Sequence, residues 1–358
     1  MSGLIDWFYD RINRPALSTG LLTRSAASPG PWFRNHGFGT LLLFFDSAVN
    51  KSAAWILPTV RYSVYSQSQI IWFMIISGKD LSTSLKAEMA RQVATFPEKY
   101  GRVPHLVVIL VGNDPGSQTY VKNKAKACDV VGIKNTTIRL PEETPEAELL
   151  GKIAELNADD SVDGILVQLP LPKQISEPKV IEAIAQEKDV DGFHPLNTAA
   201  LWQKRPNTNY TVPCTPKGII KLLESAGCEI SGKNAVVIGR SQIVGLPIAK
   251  LLLDRNATVT ICHSKTRNLL EISRQADILV VAIGRPKFVT GDMVKVGAAV
   301  IDVGMDRDEN GNLCGDVDFE SVEPKASVIT PVPGGVGPMT ICCLMENTIE
   351  CFLRRVKV

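Results

Sequence analysis

The chain has 358 residues, and what it lacks narrows the possibilities first. Its eight cysteines (Cys128, Cys214, Cys228, Cys262, Cys314, Cys342, Cys343 and Cys351) include no Cys-x-x-Cys pair and stand near no histidine at zinc-finger spacing. That excludes a zinc framework, and reduced, mostly buried thiols of an intracellular protein are expected rather than disulfides. Its four histidines (His36, His105, His194 and His263) form no His-Glu-x-x-His motif, so no metal is expected. A net charge of +2 with unclustered basic residues leaves little field for gripping nucleic acid, and no such partner is expected. Long hydrophobic runs are missing too: the stretch from Leu41 to Phe45 stops at Asp46, far short of a bilayer span, so no membrane partner is expected. The apolar content that remains suffices for about two cores of ordinary size.

The most informative segment is Asn234-Ala-Val-Val-Ile-Gly-Arg-Ser-Gln-Ile-Val-Gly-Leu-Pro247. Residues 235–238 form a short β-branched run suited to a strand buried on both faces. Gly239 and Gly245 then clear side chains from a turn and the start of a helix, where free backbone N–H groups suit a pyrophosphate. Ser241 stands where the second glycine of the Gly-x-Gly-x-x-Gly fingerprint would fall, and a tight turn that binds nothing is the competing explanation. Further strands are expected at 257–263, 276–284 and 298–304, with a helix at 247–255. This alternation calls for a doubly wound parallel sheet with ligands at the strands' carboxyl ends, where Gly239, Gly284 and Gly304 fall. No acid ends the second strand to accept from a ribose 2′-hydroxyl. His263-Ser-Lys265 and Arg240 stand there instead, favouring NADP over NAD, although two solvated surface cations would look the same.

The first 73 residues do not match the rest. They hold four of the five tryptophans (Trp7, Trp32, Trp55 and Trp72) and no sustained periodicity. Residues 11–36 are Arg- and Ser-rich without acids, as in a transit peptide, yet Asp6 and Asp10 argue otherwise, and Met74 is an alternative start. From there α/β alternation resumes, with a helix at 80–94, a strand at 105–112, a helix bearing Tyr120 and Lys124, and a strand at 164–170. Tyr120 and Lys124, four apart, share a helical face. Gln168 interrupts an apolar strand, a poor place for an amide without a partner. Taken singly, each has a plainer explanation: Lys124 as one of three surface lysines, Gln168 as a strand-end amide, Asp191 as a turn former before Gly192.

Together these residues carry a resemblance. From about Met74 to Val358, roughly four-fifths of the sequence, the chain resembles the bifunctional methylenetetrahydrofolate dehydrogenase/methenyltetrahydrofolate cyclohydrolases. The matching blocks are Val111-Gly-Asn-Asp-Pro-Gly-Ser-Gln-Thr-Tyr120, the Tyr120-x-x-x-Lys124 pair, Asp163-Gly-Ile-Leu-Val-Gln-Leu-Pro-Leu-Pro172 and Lys188-Asp-Val-Asp-Gly-Phe-His-Pro195. They continue with Gly239-Arg-Ser-Gln-Ile-Val-Gly-Leu-Pro247 and Ile329-Thr-Pro-Val-Pro-Gly-Gly-Val-Gly-Pro-Met-Thr340, in the family's order. A short-chain dehydrogenase also uses Tyr-x-x-x-Lys, but after its nucleotide glycines, whereas here the pair precedes Gly239 by more than a hundred residues. A non-enzymatic nucleotide-binding protein would lack the lysine, glutamine and aspartate set.

The resemblance implies a two-domain α/β protein: an N-terminal α/β folate-binding domain, a Rossmann-like doubly wound parallel sheet, and an active-site cleft between them. Residues 1–73 are then an extension, disordered, targeting or mis-started. Residues 74–215 form the catalytic domain, joined by a returning helix at 338–358, and 216–337 the NADP-binding domain. It implies oxidation of 5,10-methylenetetrahydrofolate and hydrolysis of the methenyl product to 10-formyltetrahydrofolate, in one-carbon metabolism that feeds purine biosynthesis. No ligase domain is expected after Val358. Lys124 is the implied catalytic lysine, its pKa lowered by partial burial and nearby positive charge. Gln168 is to align its amine, Tyr120 to stack on a ring of the folate, and Asp191 to accept paired pterin N–H donors. The Pro333, Gly334, Gly335 and Gly337 loop is to approach substrate and nicotinamide closely. Gly239, Arg240, Ser241, Val244, Gly245, Ser264, Gly284 and Thr340 are the implied cofactor contacts. A homodimer with tetrahydrofolate derivatives as its ligands is implied, in the cytoplasm, or in mitochondria should residues 1–73 act as a transit peptide.

Overall fold

The computed structural model of the protein describes residues 61–66, 69–203 and 209–356, with side chains from Met74 onward. The transit-peptide and disorder expectations for residues 1–60 lie outside the described residues. The described chain opens with two antiparallel strands, β1 (Arg61–Ser66) and β2 (Gln69–Ile75). The expected boundary at residue 73 therefore falls inside a strand. Helix α1 (Gly78–Val93) follows, its first turn capped where the Ser77 hydroxyl accepts from the Asp80 N–H at 3.1 Å.

The first α/β half then runs β3 (His105–Val111), α2 (Pro115–Val131), β4 (Lys134–Leu140), α3 (Glu146–Ala158) and β5 (Gly164–Val167), its strands lying parallel in the order β4-β3-β5. Every residue of β3 is buried. Leu106, Val108 and Leu110 face one cluster while Val107, Ile109 and Val111 face another with Leu149 and Ile153 of α3. Burial on both faces is why this strand reads as an unbroken apolar run. Strand β4 alternates exposed and half-buried residues and carries Lys134, Asn135 and Arg139, so its sequence gave no apolar signal.

The second half comprises α4 (Cys214–Ser225), β6 (Asn234–Ile238), α5 (Gly245–Leu253), β7 (Thr258–Cys262), β8 (Ile278–Val281), β9 (Ala299–Asp302), the hairpin β10 (Asp306–Arg307) and β11 (Leu313–Cys314), and β12 (Val328–Ile329). The strands expected at 257–263, 276–284 and 298–304 are present, each a residue or more shorter at its ends, and the one expected at 235–238 starts a residue earlier. The sheet order is β1-β2-β12-β9-β8-β6-β7, parallel from β2 to β7. From β6 the chain moves to β7 on one side and then to β8 on the other. The order thus reverses at the carboxyl end of β6, the place where such sheets open a ligand crevice.

The final helix α6 (Val336–Val356) joins the halves. Its Cys343, Met345 and Phe352 sit in the core with Leu106 and Val108, while its Met339 belongs to the core of Ile219, Val237 and Ile248. Its far end is tied down by a buried carboxylate. Asp163, with no exposed surface, accepts from Arg102 Nη1 and Nη2 at 2.5 and 2.8 Å, from the His105 N–H at 2.9 Å, and from Arg355 Nη1 at 3.3 Å. Among the described residues no helix is long and apolar enough to cross a membrane.

Removing one member of such a network strands the remaining charges. Asp163→Ala is expected to cost about 3 kcal/mol, the low end for a buried pair because Arg102 is partly exposed. Urea denaturation checks this, and a loss below about 1 kcal/mol would show that Asp163 does not anchor the final helix.

Candidate active site

Helix α2 begins at Pro115 behind Asp114, whose carboxylate accepts the Ser117 N–H at 2.7 Å. Ser117, Tyr120 and Lys124 then follow along one side of the helix. Lys124 is buried, 8% exposed, and its Nζ donates to Gln168 Oε1 at 2.9 Å. Gln168 is held in turn: its backbone N–H donates to Ile109 at 2.9 Å and its Nε2 to the Leu169 carbonyl at 2.7 Å. It lies one residue beyond β5, not inside the strand as expected, so its amide points from a strand end.

Burial lowers the pKa of Lys124, and the carboxylate of Asp191 works against that shift. The expected help from nearby positive charge is absent from its causes; burial does the lowering. Burial also pushes the Asp191 carboxyl up to about 6, opposed by Lys124 and reinforced by Asp189. Among the described residues no hydrogen bond reaches the Asp191 carboxylate, which lines a small apolar pocket with Leu169, Val180 and Phe193. Its loop is organised by Asp189, which accepts from the Gly192 and His194 N–H groups at 3.0 and 2.8 Å and from Asn197 Nδ2 at 2.8 Å. Gly192 adopts φ 74°, and a Cβ there would meet the Thr211 carbonyl at 2.8 Å.

On the dinucleotide side, a Cβ on Gly239 would meet the Ala282 carbonyl at 2.2 Å, and one on Gly245 the Gly239 carbonyl at 2.5 Å. The turn closes only with glycine at both. Ser241 has a role of its own: its Oγ accepts the Val244 and Gly245 N–H groups, each at 3.2 Å. Those two donors at the start of α5, expected to face a phosphate, are therefore already satisfied. The N–H groups of Arg240 to Ile243, on exposed residues, donate to no described residue. Ser264 and Lys265 stand exposed at the tip of a turn after β7, closed by Thr266 N–H to His263 O at 2.8 Å.

Two buried aspartates that sequence reasoning missed organise the neighbouring strand ends. Asp316 accepts from the N–H groups of Ile283, Gly284 and Arg285 at 2.7, 3.2 and 2.6 Å. Asp302 accepts from those of Gly304, Asp316 and Val317 at 3.0, 2.9 and 3.0 Å. Burial outweighs these bonds and pushes Asp302 up to about 7. Their only signal was their place, one ending an apolar strand and the other inside Gly315-Asp-Val-Asp318.

Between the halves lies a cleft of about 220 Å³. It brings together Tyr120, Val244, Thr340 and the expected loop residues Pro333, Gly334, Gly335 and Gly337, with Met305 as an unforeseen neighbour. The loop is pinned by α1, since Lys79 N–H donates to the Gly334 carbonyl at 2.9 Å and a Cβ on Gly78 would meet the Gly335 carbonyl at 1.8 Å. Thr340 Oγ1 lies 2.9 Å from Thr215 Oγ1. Lys124, Gln168 and Asp191 are not part of this cleft's wall, Lys124 being one helical turn beyond Tyr120. Gly239, Arg240, Ser241, Gly245, Ser264 and Gly284 lie along the sheet's carboxyl edge beyond it. Ser117, 4% exposed with its Oγ unpartnered among the described residues, was also missed, since serine near a helix start normally reads as a cap. Among the described residues no three metal-ligating side chains converge.

Comparison with known proteins agrees with this geometry. Residues 76–191 match the family model for the tetrahydrofolate dehydrogenase/cyclohydrolase catalytic domain, and residues 213–356 that for the tetrahydrofolate dehydrogenase/cyclohydrolase NAD(P)-binding domain. The bifunctional protein FolD of Streptococcus pneumoniae is 57% identical over 280 residues, 78% of this chain and 97% of that protein. Among solved structures, the bifunctional FolD of Campylobacter jejuni shares 49% identity at a TM-score of 0.76, covering 78% of this chain and 99% of that one. The Trypanosoma brucei methylenetetrahydrofolate dehydrogenase-cyclohydrolase, solved with NADP cofactor and an inhibitor, shares 40% at 0.76, over 79% and 98%. The chain belongs to the tetrahydrofolate dehydrogenase/cyclohydrolase family.

Proposed function

We propose that the protein oxidises 5,10-methylenetetrahydrofolate with NADP and hydrolyses the methenyl product to 10-formyltetrahydrofolate at one site, with Lys124 as its central catalytic group. The observation that carries the assignment to Lys124 is the buried Nζ held 2.9 Å from Gln168 Oε1 with its pKa lowered. A dinucleotide fits the opposite wall: the unpaired N–H groups of Arg240 to Ile243 suit a pyrophosphate. Arg240, Ser264 and Lys265, with no acid ending β7, support a 2′-phosphate and hence NADP over NAD.

When bound, NADP supplies the hydride acceptor. The chain supplies position and charge. Tyr120 offers a ring face for the aromatic part of the folate. Asp191, when ionised, accepts paired pterin N–H donors and holds the one-carbon bridge toward Lys124. Hydride loss leaves a cationic methenyl bridge, which a neutral amine tolerates better than an ammonium would. Lys124 Nζ, its hydrogens directed to Gln168, then takes a proton from the water that adds to the methenyl carbon, and the ring opens to the formyl product. The same family resemblance supports a homodimer working in the cytoplasm.

The decisive experiment follows dinucleotide reduction with methylenetetrahydrofolate. Affinity for NADP is expected to exceed that for NAD at least about tenfold, the scale of one charge-assisted contact, and values within about a factor of two would remove the 2′-phosphate assignment. Lys124→Met is expected to lower cyclohydrolase activity by about 10²- to 10⁴-fold while NADP still binds; retained hydrolysis would take Lys124 out of the mechanism. The raised pKa of Asp191 fixes a pH dependence. Its charged form is lost as pH falls through about 6, so kcat/KM for the folate declines there rather than near 4. Asp191→Asn should remove that acid limb and raise KM. A limb unchanged in the variant would assign it to another group.

A further inference from the structure

Met305 leaves the sheet where β9 ends, in the dinucleotide half, and reaches across the cleft to the folate half. Its Sδ accepts the Tyr120 hydroxyl at 2.9 Å. Three features fix the sulfur there. Gly304 packs closely against the neighbouring backbone, since a Cβ on it would meet the Asp316 N at 2.4 Å, and its own N–H donates to Asp302 at 3.0 Å. On the far side a Cβ on Gly337 would lie 3.0 Å from Met305 Cε, so the methyl fills the space left by the missing side chain. Met305 is nonetheless 46% exposed, an apolar side chain kept on the cleft surface rather than in a core.

We propose that Met305 is a positioning residue for Tyr120, its thioether accepting the phenol O–H across the cleft and setting the plane of the ring that meets the folate. This rests on Tyr120 facing the folate, as given above. A thioether suits the task because it is a weak acceptor with a polarisable, adaptable side chain. It can orient the ring in the free enzyme and yield when a ligand presses on it, where a carboxylate would hold the phenol too firmly. The acceptor comes from one half and the donor from the other, so the contact also ties the folate-facing ring to the strand end beside the dinucleotide.

The test compares the full-length wild type, Met305→Leu, Met305→Gln, Tyr120→Phe and the two double variants. Calorimetry gives the tetrahydrofolate dissociation constant, and turnover gives KM and kcat with methylenetetrahydrofolate. Loss of one neutral hydrogen bond predicts that Met305→Leu weakens tetrahydrofolate binding and raises KM by about threefold to tenfold, with a smaller change in kcat. Met305→Gln, which keeps an acceptor at similar reach, should bind within about twofold of wild type. On the Tyr120→Phe background neither change at 305 should matter further. A simple packing role predicts the reverse order, leucine tolerated better than glutamine, and that order overturns the proposal, as does full additivity with Tyr120→Phe. A wild type that binds tetrahydrofolate but does not turn over methylenetetrahydrofolate would break the assigned activity while the binding cycle still decides the role of Met305. A wild type that binds no tetrahydrofolate overturns both.

Discussion

Everything in the active half depends on keeping one amine out of water. Lys124 sits on a helix whose other lysines, Lys122 and Lys126, face outward, and only its register turns it into the core side of α2. Burial disfavours its ammonium form, and Asp191 partly restores it. The burial that lowers the lysine also raises the aspartate to about 6, so the charged form of each group is disfavoured at the site. Gln168 is the neutral partner that makes the arrangement tolerable. It satisfies the amine without adding a charge, and its second amide contact to Leu169 stops it from turning away.

The dinucleotide side uses buried carboxylates for a different purpose. Asp302 and Asp316 each gather three backbone N–H groups at the carboxyl ends of β8 and β9. They turn strand ends into fixed loops, which is what a ligand crevice at a topological switch point requires. Ser241 does the equivalent at β6. By capping Val244 and Gly245 it stiffens the turn and leaves the preceding N–H groups outward. The departure from the usual glycine pattern is thus a local exchange of a glycine for a hydroxyl cap. The final helix and α1 hold these two frames together, with Asp163 locking the helix's end and Gly78 allowing the 333–337 loop its close approach.

Much of this was legible in the sequence because it rests on local pattern. The apolar runs of β3, β6, β8 and β9 marked parallel strands, and the glycines marked their ends. What escaped was set by tertiary neighbours. Strand β4 lies half exposed and so carries no apolar signature. The strand β2 adds to the dinucleotide sheet from far away in sequence, which no window around residue 70 reveals. Nothing in the local pattern singled out Asp189, Asp302 and Asp316, and only the fold shows the backbone groups they collect. The cause of the lysine's lowered pKa was half legible: burial could be anticipated from its helical face, but the sign of the nearest charge could not.

The central claim concerns the ionisation of a single side chain, and it can be read directly. Selective isotope labelling of lysine with assignment through the Lys124 variant would give the side-chain titration of Lys124 by NMR in the ligand-free enzyme. The account predicts a midpoint below the ordinary lysine value of about 10.4. A midpoint at or above that value would mean that the amine stays a full ammonium at the site, and the proposed proton transfer from water would be contradicted.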